Sequence, residues 1–505
     1  MAGGGFPRDV VRLAFRLEGD RADIDAAVPA ALEAAVASPP SRGWHHETTY
    51  WDDEPRSLRG HGLWLATSVR GGRTTARLAA LAGPVRRRVW TASDVPLPPA
   101  IAAFAAARAL PEAVTDVALA AVMQRSAHGR TWTVGGPTPV TVIDERCRWH
   151  LADRLVEERL LLVESGGRAA AAALALAETL STRLRLRLLG DALEAVAADR
   201  LAGAVTPTVR LAAPTLDGDG PVGAGFLAIG RTSLREMLAN LDHVVEDGHG
   251  QTVHQFRVAL RRLRAGLSLF RDRLPDEARL PVAADLKWLN GVFADAREWD
   301  VLLSDTLQPL TASVTDPTLI APLARAAEAR RAEAYRRLAD RLAEPRPTQV
   351  FLRLLRWFEL DEAPVAPPDE GETLAEFARR GLRRTRRRMV RHRRTMDRSS
   401  IADWHALRIL AKKARYAADA FSSLHPRSTT RDYRRRLEAL QGCLGRFNDA
   451  AVAERLAASC RDDGVRPTAI AIVAGWAARE RVAQQAAADA QWKRFRAVRP
   501  FWRRG

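Results

Sequence analysis

Two stretches of this chain repeat one another 151 residues apart, and that repeat limits what the chain can fold into. The first reads Val253-His254-Gln255-Phe256-Arg257-Val258-Ala259-Leu260-Arg261-Arg262-Leu263-Arg264. The second reads Trp404-His405-Ala406-Leu407-Arg408-Ile409-Leu410-Ala411-Lys412-Lys413-Ala414-Arg415. One histidine and four cations recur in the same order and spacing. Thirty-seven residues after each histidine a Leu-x-Gly ends (Leu289 to Gly291, Leu440 to Gly442), and Phe226 and Gly230 fall in frame with Phe377 and Gly381. A frame held this long marks a duplicated structural unit, each copy carrying its own cationic stripe.

On a helical wheel with His254 at zero, Arg257, Arg261 and Arg264 lie within about 80° of it and Arg262 flanks the other side. Phe256, Leu260, Leu263, Leu267 and Phe270 gather opposite. In the second copy His405, Arg408, Lys412 and Arg415 share a stripe, opposed by Leu407, Leu410, Ala411 and Ala414. Neither stripe contains an acid, whereas a merely solvated helix usually mixes signs to gain i,i+4 pairs. A row of like charges costs stability unless an anion neutralises it, so the repeated stripe points to anion binding.

The whole chain points the same way. Its 505 residues imply two or three domains, and its formal charge of +18 suits a polyanionic partner. That charge is uneven: residues 221–505 hold roughly 52 Lys+Arg against 35 Asp+Glu, and the first 220 residues are near neutral. Only four cations are lysines and alanine is abundant, the coding bias of a GC-rich genome. Position and repetition therefore inform more than arginine content. Three scattered cysteines (Cys147, Cys443, Cys460) form neither a disulfide framework nor a metal cluster. No apolar run reaches membrane-spanning length and no signal peptide opens the chain, so a soluble, cytoplasmic protein is expected.

Residues 1 to about 200 alternate strands and helices. Val10 to Glu18 reads as a strand with Leu13, Phe15 and Leu17 on one face. Gly62 to Val69 reads as a strand entering a hairpin at Gly71-Gly72, and Leu160 to Gly167 as a buried strand meeting a turn. Ala169 to Leu189 reads as one long helix. Pro207 to Gly225 reads as a linker, and helical periodicity dominates after it. Asp361 to Gly371, with three prolines, separates the two copies, each with room for four to five helices. Ala378 to Arg394 is a second basic concentration whose cations go round the helix; a polyanion rim and a solvated face both fit it. The tail from Lys493, with Phe495, Phe501 and Trp502, is expected to dock on the domain.

The pattern V-H-x-x-R-V-x-x-R-R-L-R, with W-H-x-L-R-I-x-x-K-K-x-R-Y completed by Tyr416, resembles the CHAD family, the conserved histidine α-helical domain. The family's later helix is matched by Leu286 to Gly291 running to Ala296-Arg297-Glu298-Trp299-Asp300, and by Leu437 to Asp449. The resemblance spans about residues 222–500. It implies two helical bundles related by a pseudo-two-fold axis, with a basic channel between them that binds inorganic polyphosphate. Carried residue by residue, the channel is lined by His254, Arg257, Arg261, Arg262, Arg264, His405, Arg408, Lys412, Lys413 and Arg415.

The first half is similar in outline to a CYTH domain of the triphosphate-tunnel type. Phe15-Arg16-Leu17 ends the first strand, Thr49-Tyr50-Trp51-Asp52-Asp53 follows, then a Leu58-Arg59-x-x-Gly62-Leu63 strand and Glu164-Ser165-Gly166. That family opens with E-x-E-x-K, whose carboxylates hold a divalent metal and whose positions here are Val10, Arg12 and Ala14. Its later acidic strand is replaced by Leu160 and Leu162, with Glu158 the nearest acid in register. No E-x-E occurs in the first 200 residues.

The expected architecture is multidomain: an α+β antiparallel tunnel-barrel-like domain (1–202), a linker (203–221), and duplicated all-α bundles (222–505, with halves about 222–360 and 371–500). The expected function is non-catalytic binding of polyphosphate, with neither cofactor nor metal, free in the cytoplasm or on polyphosphate granules. The alternatives are a CYTH-type triphosphatase and a nucleic-acid-binding protein; no RNP, C2H2 or OB signature supports the latter.

Overall fold

The computed structural model describes residues 8–36, 39–53, 57–70, 73–81, 85–93, 119–135, 139–190, 193–202, 208–246, 250–366 and 371–502. These form two compact units. The first comprises the described residues up to Thr208 together with Leu238–Asp247 and Arg341–Glu362. The second comprises Val209–Met237, Gly248–Asp340 and Ala363 onward.

The first unit is built on strands β1 (Arg8–Leu17), β2 (Trp44–Asp52), β3 (Leu63–Arg70), β4 (Arg73–Leu81), β5 (Arg86–Ser93), β6 (Ala120–Val134), β7 (Val140–Leu151), β8 (Arg154–Gly166) and β9 (Leu186–Leu188). Their order is β5-β4-β3-β2-β6-β7-β8-β1-β9. The amino-terminal half of β1 also pairs with β5, from Arg8 opposite Val89 to Val11 opposite Arg86, and closes an antiparallel barrel of eight strands. The remainder of that edge, Phe15 to Leu17, pairs with β9. Period-2 alternation sets the two faces of each strand. Leu13, Phe15 and Leu17 of β1 are buried on its outer side, and Leu161 and Val163 do the same on β8. Helices α1 (Arg21–Ala35) and α3 (Ala170–Ser181) cover that side.

Two expectations fail here. The helix begun at Ala169 stops at Ser181, where the Ser181 and Thr182 hydroxyls donate back to the carbonyls of Glu178 and Thr179. The following Leu184-Arg185-Leu186-Arg187-Leu188 has strand periodicity, and β9 uses it with all three of its residues buried. Leu58 and Arg59 lie in a helical turn, α2 (Ser57–Gly60), whose free amides at Leu58 and Arg59 donate to the Asp52 carboxylate. The strand starts only at Leu63, after Gly62 at φ +70°. The Gly71-Gly72 turn lies outside the described residues. α4 (Leu193–Ala202) follows β9, and its Leu193, Ala197 and Leu201 pack into the core of the barrel.

Gly190 is where the chain leaves β9. A Cβ there would stand 1.9 Å from the Leu238 carbonyl oxygen, near the end of α5 (Val222–Glu246), so only glycine fits. The Asp242 carboxylate of α5 accepts from the Gly190 amide at 2.8 Å.

The second unit is helical and keeps the sequence repeat in its boundaries. α6 (Gly250–Leu269) and α13 (Ile401–Ala420) are 151 residues apart at both ends. So are the short 3-10 turns Arg271–Arg273 and Ser422–Leu424, and the starts of α7 (Asp276–Val292) and α14 (Arg427–Ser459). The copies then differ: α14 runs unbroken, whereas α7 breaks at Phe293 and continues as α8 (Ala294–Val301) and a π-helical stretch, Leu302–Leu307. Four phenylalanines that the repeat relates in pairs meet in the core. Phe270 stacks within 5.3 Å of Phe226 and 4.6 Å of Phe377, and Phe421 lies 6.2 Å from Phe270. The remaining helices are α9 (Gln308–Ser313), α10 (Ala321–Leu342), α11 (Pro345–Glu359), α12 (Leu374–Thr395) and α15 (Pro467–Ala497). Of these, α11 belongs to the first unit, where it packs on α3 and β9.

Residues 209–221 have almost no regular structure but are held in place. The Leu211 amide donates to Glu236, and the Leu216 amide to the Ser423 hydroxyl. The tail docks as expected: the Phe495, Phe501 and Trp502 rings pack 5.0–5.4 Å from Tyr433.

Candidate functional site

α6 and α13 are amphipathic for the reason the sequence suggests, with Phe256, Ala259, Leu260 and Leu263 buried on one and Trp404, Leu407, Ala411 and Ala414 on the other. Packing the two helices together turns their cationic stripes toward each other. Arg261 of the first copy exerts its charge on both Arg408 and Lys412 of the second, and Arg257 also reaches Lys412. Burial, then Arg408 and Arg261, pull the Lys412 ammonium down to about 7. Burial, then Arg297, Arg261 and Arg257, hold His254 down to about 4. Arg257 falls to about 10 through burial and Arg261.

Compensating groups are few. Arg257 donates to the Asn290 carbonyl at 3.0 Å, and Asp449 stands 3.8 Å from Arg408. The buried Nε atoms of Arg261 and Arg408 have no hydrogen-bond partner. Half-buried guanidinium groups with donors to spare, in a region where like charges already depress one another, can donate to the oxygens of an anion.

Five of the ten residues read from sequence converge: His254, Arg257, Arg261, Arg408 and Lys412. His405 is exposed at the start of α13, with Nδ1 3.0 Å from the Asn448 amide oxygen. Arg264 lies further along α6, lowered by burial, and its charge also reaches Arg257. Arg415 donates to Gln441 at 3.2 Å and lies near Asp419 and Glu438. Lys413 is exposed on another face. Arg262 turns away from the cluster to bind the buried Glu236 at 2.5 Å and the Leu211 carbonyl at 3.2 Å. Arg297 belongs with the cluster although the motif did not include it. Its repeat mate is Asn448, so each histidine faces the same position of the later helix, once as a cation and once as an amide.

The barrel interior is different. The resemblance to tunnel enzymes implies carboxylates free to hold a divalent cation. Even-numbered residues of β1 do point inward, as that resemblance implies, but Arg12 and Arg16 bond there to Glu164 and Glu158. Arg125 of β6 bonds to Glu145 of β7. Arg87 of β5 grips both oxygens of Glu194 from α4 at 3.1 Å. Burial pushes Glu194 up, yet Arg87 and Arg12 outweigh it and bring the carboxyl down to about 2. Glu164 likewise stays below the ordinary range because Arg12, Arg77 and Arg87 outweigh its burial. An E-x-E pattern does not capture these glutamates because they come from three separate elements. Each already has an arginine, and Arg77 adds a further buried cation whose pKa falls through burial and Arg12. A divalent metal does not fit this set.

Residues 228–458 match the sequence model of the CHAD domain. The crystal structure of the CHAD domain from the plant Ricinus communis is similar at 29% identity, covering 59% of this chain and 98% of that one, with a TM-score of 0.51. PptA from Streptomyces chartreusis is similar at 18% identity over 54% of this chain and 100% of that one, TM-score 0.44. A Hippeastrum protein, described as an adenylyl cyclase with a dominant triphosphatase activity, is similar at 9% identity over 39% and 98%, TM-score 0.27. No curated protein matches the chain.

Proposed function

We propose, from the match of residues 228–458 to the CHAD domain, that this chain binds inorganic polyphosphate between its two cationic stripes and does not turn it over. The observation that carries this reading is the half-buried cluster of His254, Arg257, Arg261, Arg408 and Lys412, drawn from both copies. A chain of linked phosphates supplies closely spaced negative charge and acceptor oxygens. Arginine forks engage those oxygens in pairs, and Lys412 acts as a point charge. The barrel carboxylates are committed to arginines, so the barrel serves as a scaffold rather than a hydrolase.

The test is titration of the full chain with long-chain polyphosphate at physiological salt, with single-stranded RNA as competitor. Tight binding that RNA does not displace is expected. Arg257→Glu, Arg261→Glu, Arg408→Glu and Lys412→Glu together should abolish it while the helical circular-dichroism signal persists. Unchanged affinity in that folded variant refutes the assignment, and preferential binding of RNA transfers the site to nucleic acid.

A further inference from the structure

Within the basic concentration on α12, three dimensions set apart two groups, together seven of its arginines, that its sequence does not separate. The helix holds ten arginines and one acid, Glu376, which is used in the capping box at Thr373. One set is neutralised from outside the helix: Arg380 bonds to Glu372, Arg384 to Asp272 and Arg393 to Asp489. The other set is Arg383, Arg387, Arg391 and Arg394. All four are exposed, and none of their side chains has an ion pair or hydrogen bond among the described residues. Their spacing of four, four and three places them in one line, opposite the buried Phe377, Ala378, Gly381, Leu382 and Met389. The line runs roughly 16 Å at 1.5 Å per residue.

Several arginines on other helices of this unit meet acids. Arg337 meets Glu333 and Asp295, Arg330 meets Asp463, and Arg435 meets Asp432. On α12 like charges instead stand at i,i+4 (Arg383 with Arg387, Arg387 with Arg391), each pair costing about 0.2–0.5 kcal/mol. The outer face offers no aromatic ring for stacking bases, as single-stranded nucleic acids require. It also lacks the apolar side an interfacial helix would bury in a membrane. What the line presents is closely spaced guanidinium groups, which suits a polymer made of phosphate.

We infer that the Arg383–Arg387–Arg391–Arg394 line is a second, surface track for polyphosphate, engaging chains too long for the channel. This rests on the polyphosphate reading above. The experiment compares tripolyphosphate with long-chain polyphosphate, using the full chain and a variant carrying Arg383→Gln, Arg387→Gln, Arg391→Gln and Arg394→Gln. Removing like-charge repulsion should leave Tm unchanged or higher. Long-chain affinity should fall about tenfold or more, and the log–log salt slope should become shallower by about 0.7 for each phosphate that the variant no longer neutralises. Tripolyphosphate affinity should not change. Unchanged long-chain affinity and slope in the folded variant overturn the track and leave the channel intact. Equal losses for both probes overturn it too, because a track beyond the channel cannot matter to a short ligand. If the unaltered chain binds neither probe, it is the polyphosphate reading itself that fails.

Discussion

Lys412 shows what a single residue contributes and what it costs. An ordinary lysine titrates near 10.5, and this one is drawn down to about 7 by burial, Arg408 and Arg261. The groups facing it are Arg408, Arg261 and Arg257, opposed by Asp449. A base depressed by folding destabilises the folded state as pH falls below its unfolded pKa, and the penalty is complete below the folded one. At neutral pH the free protein therefore carries a large part of this penalty. Lys412→Met should raise stability by about 2 kcal/mol in thermal denaturation while weakening polyphosphate binding. By the same linkage, binding should take up a proton near neutrality. Affinity measured from pH 8 to pH 6 should rise, and calorimetry in buffers of different ionisation enthalpy should show the uptake. Arg262 contributes differently. Its partner Glu236 is fully buried and pushed up by that burial despite Arg262. Arg262→Ala should cost about 3 kcal/mol, read by urea denaturation, with polyphosphate affinity of the folded variant unchanged. The helical wheel put Arg262 to one side of the stripe, but only packing against α5 revealed the acid it serves.

At the level of elements, the existence and the buried and cationic faces of α6 and α13 could be read from sequence, because amphipathic periodicity and an exact repeat reinforce each other. The segment after α3 could not. Alanine-rich helix and the alternating Leu184–Leu188 abut without a glycine or proline, so only the short alternation and the Ser181-Thr182 pair mark the change of period. The barrel interior was harder still. Its closing ion pairs join β1 to β8, β6 to β7, and β1 and β5 to α4, and no spacing within one segment encodes them. Glu194 offers a test. Its carboxyl is depressed to about 2, so its stabilising contribution is present above the ordinary carboxylate pKa and lost as pH falls from about 4.5 toward 2. Glu194→Gln should remove much of that acid-dependent loss and lower stability at pH 7 by about 2 kcal/mol, since Arg12 and Arg87 are left with less compensation. Urea denaturation followed by tryptophan fluorescence at pH 7 and pH 3.5 checks both.

For the molecule as a whole, the electrostatics predict strong salt dependence of polyphosphate binding, with affinity falling linearly on a log–log plot. The barrel predicts no magnesium- or manganese-stimulated release of phosphate from tripolyphosphate, checked by a phosphate assay with and without chelator; stimulation by either metal would refute the scaffold role. No helix among the described residues is long and apolar enough to cross a membrane. The order of residues along the chain was enough to establish the duplication, the two amphipathic helices, their excess of positive charge, and the absence of the tunnel-enzyme E-x-E pattern. These are properties of spacing within one segment, which a linear text records directly. Packing settled which cations are free. Arg261 and Arg408 keep unpartnered donors beside Lys412, while Arg262, Arg384 and Arg393 are consumed by acids from distant segments. An arginine's charge is written in the sequence, but its counterion is chosen by the fold.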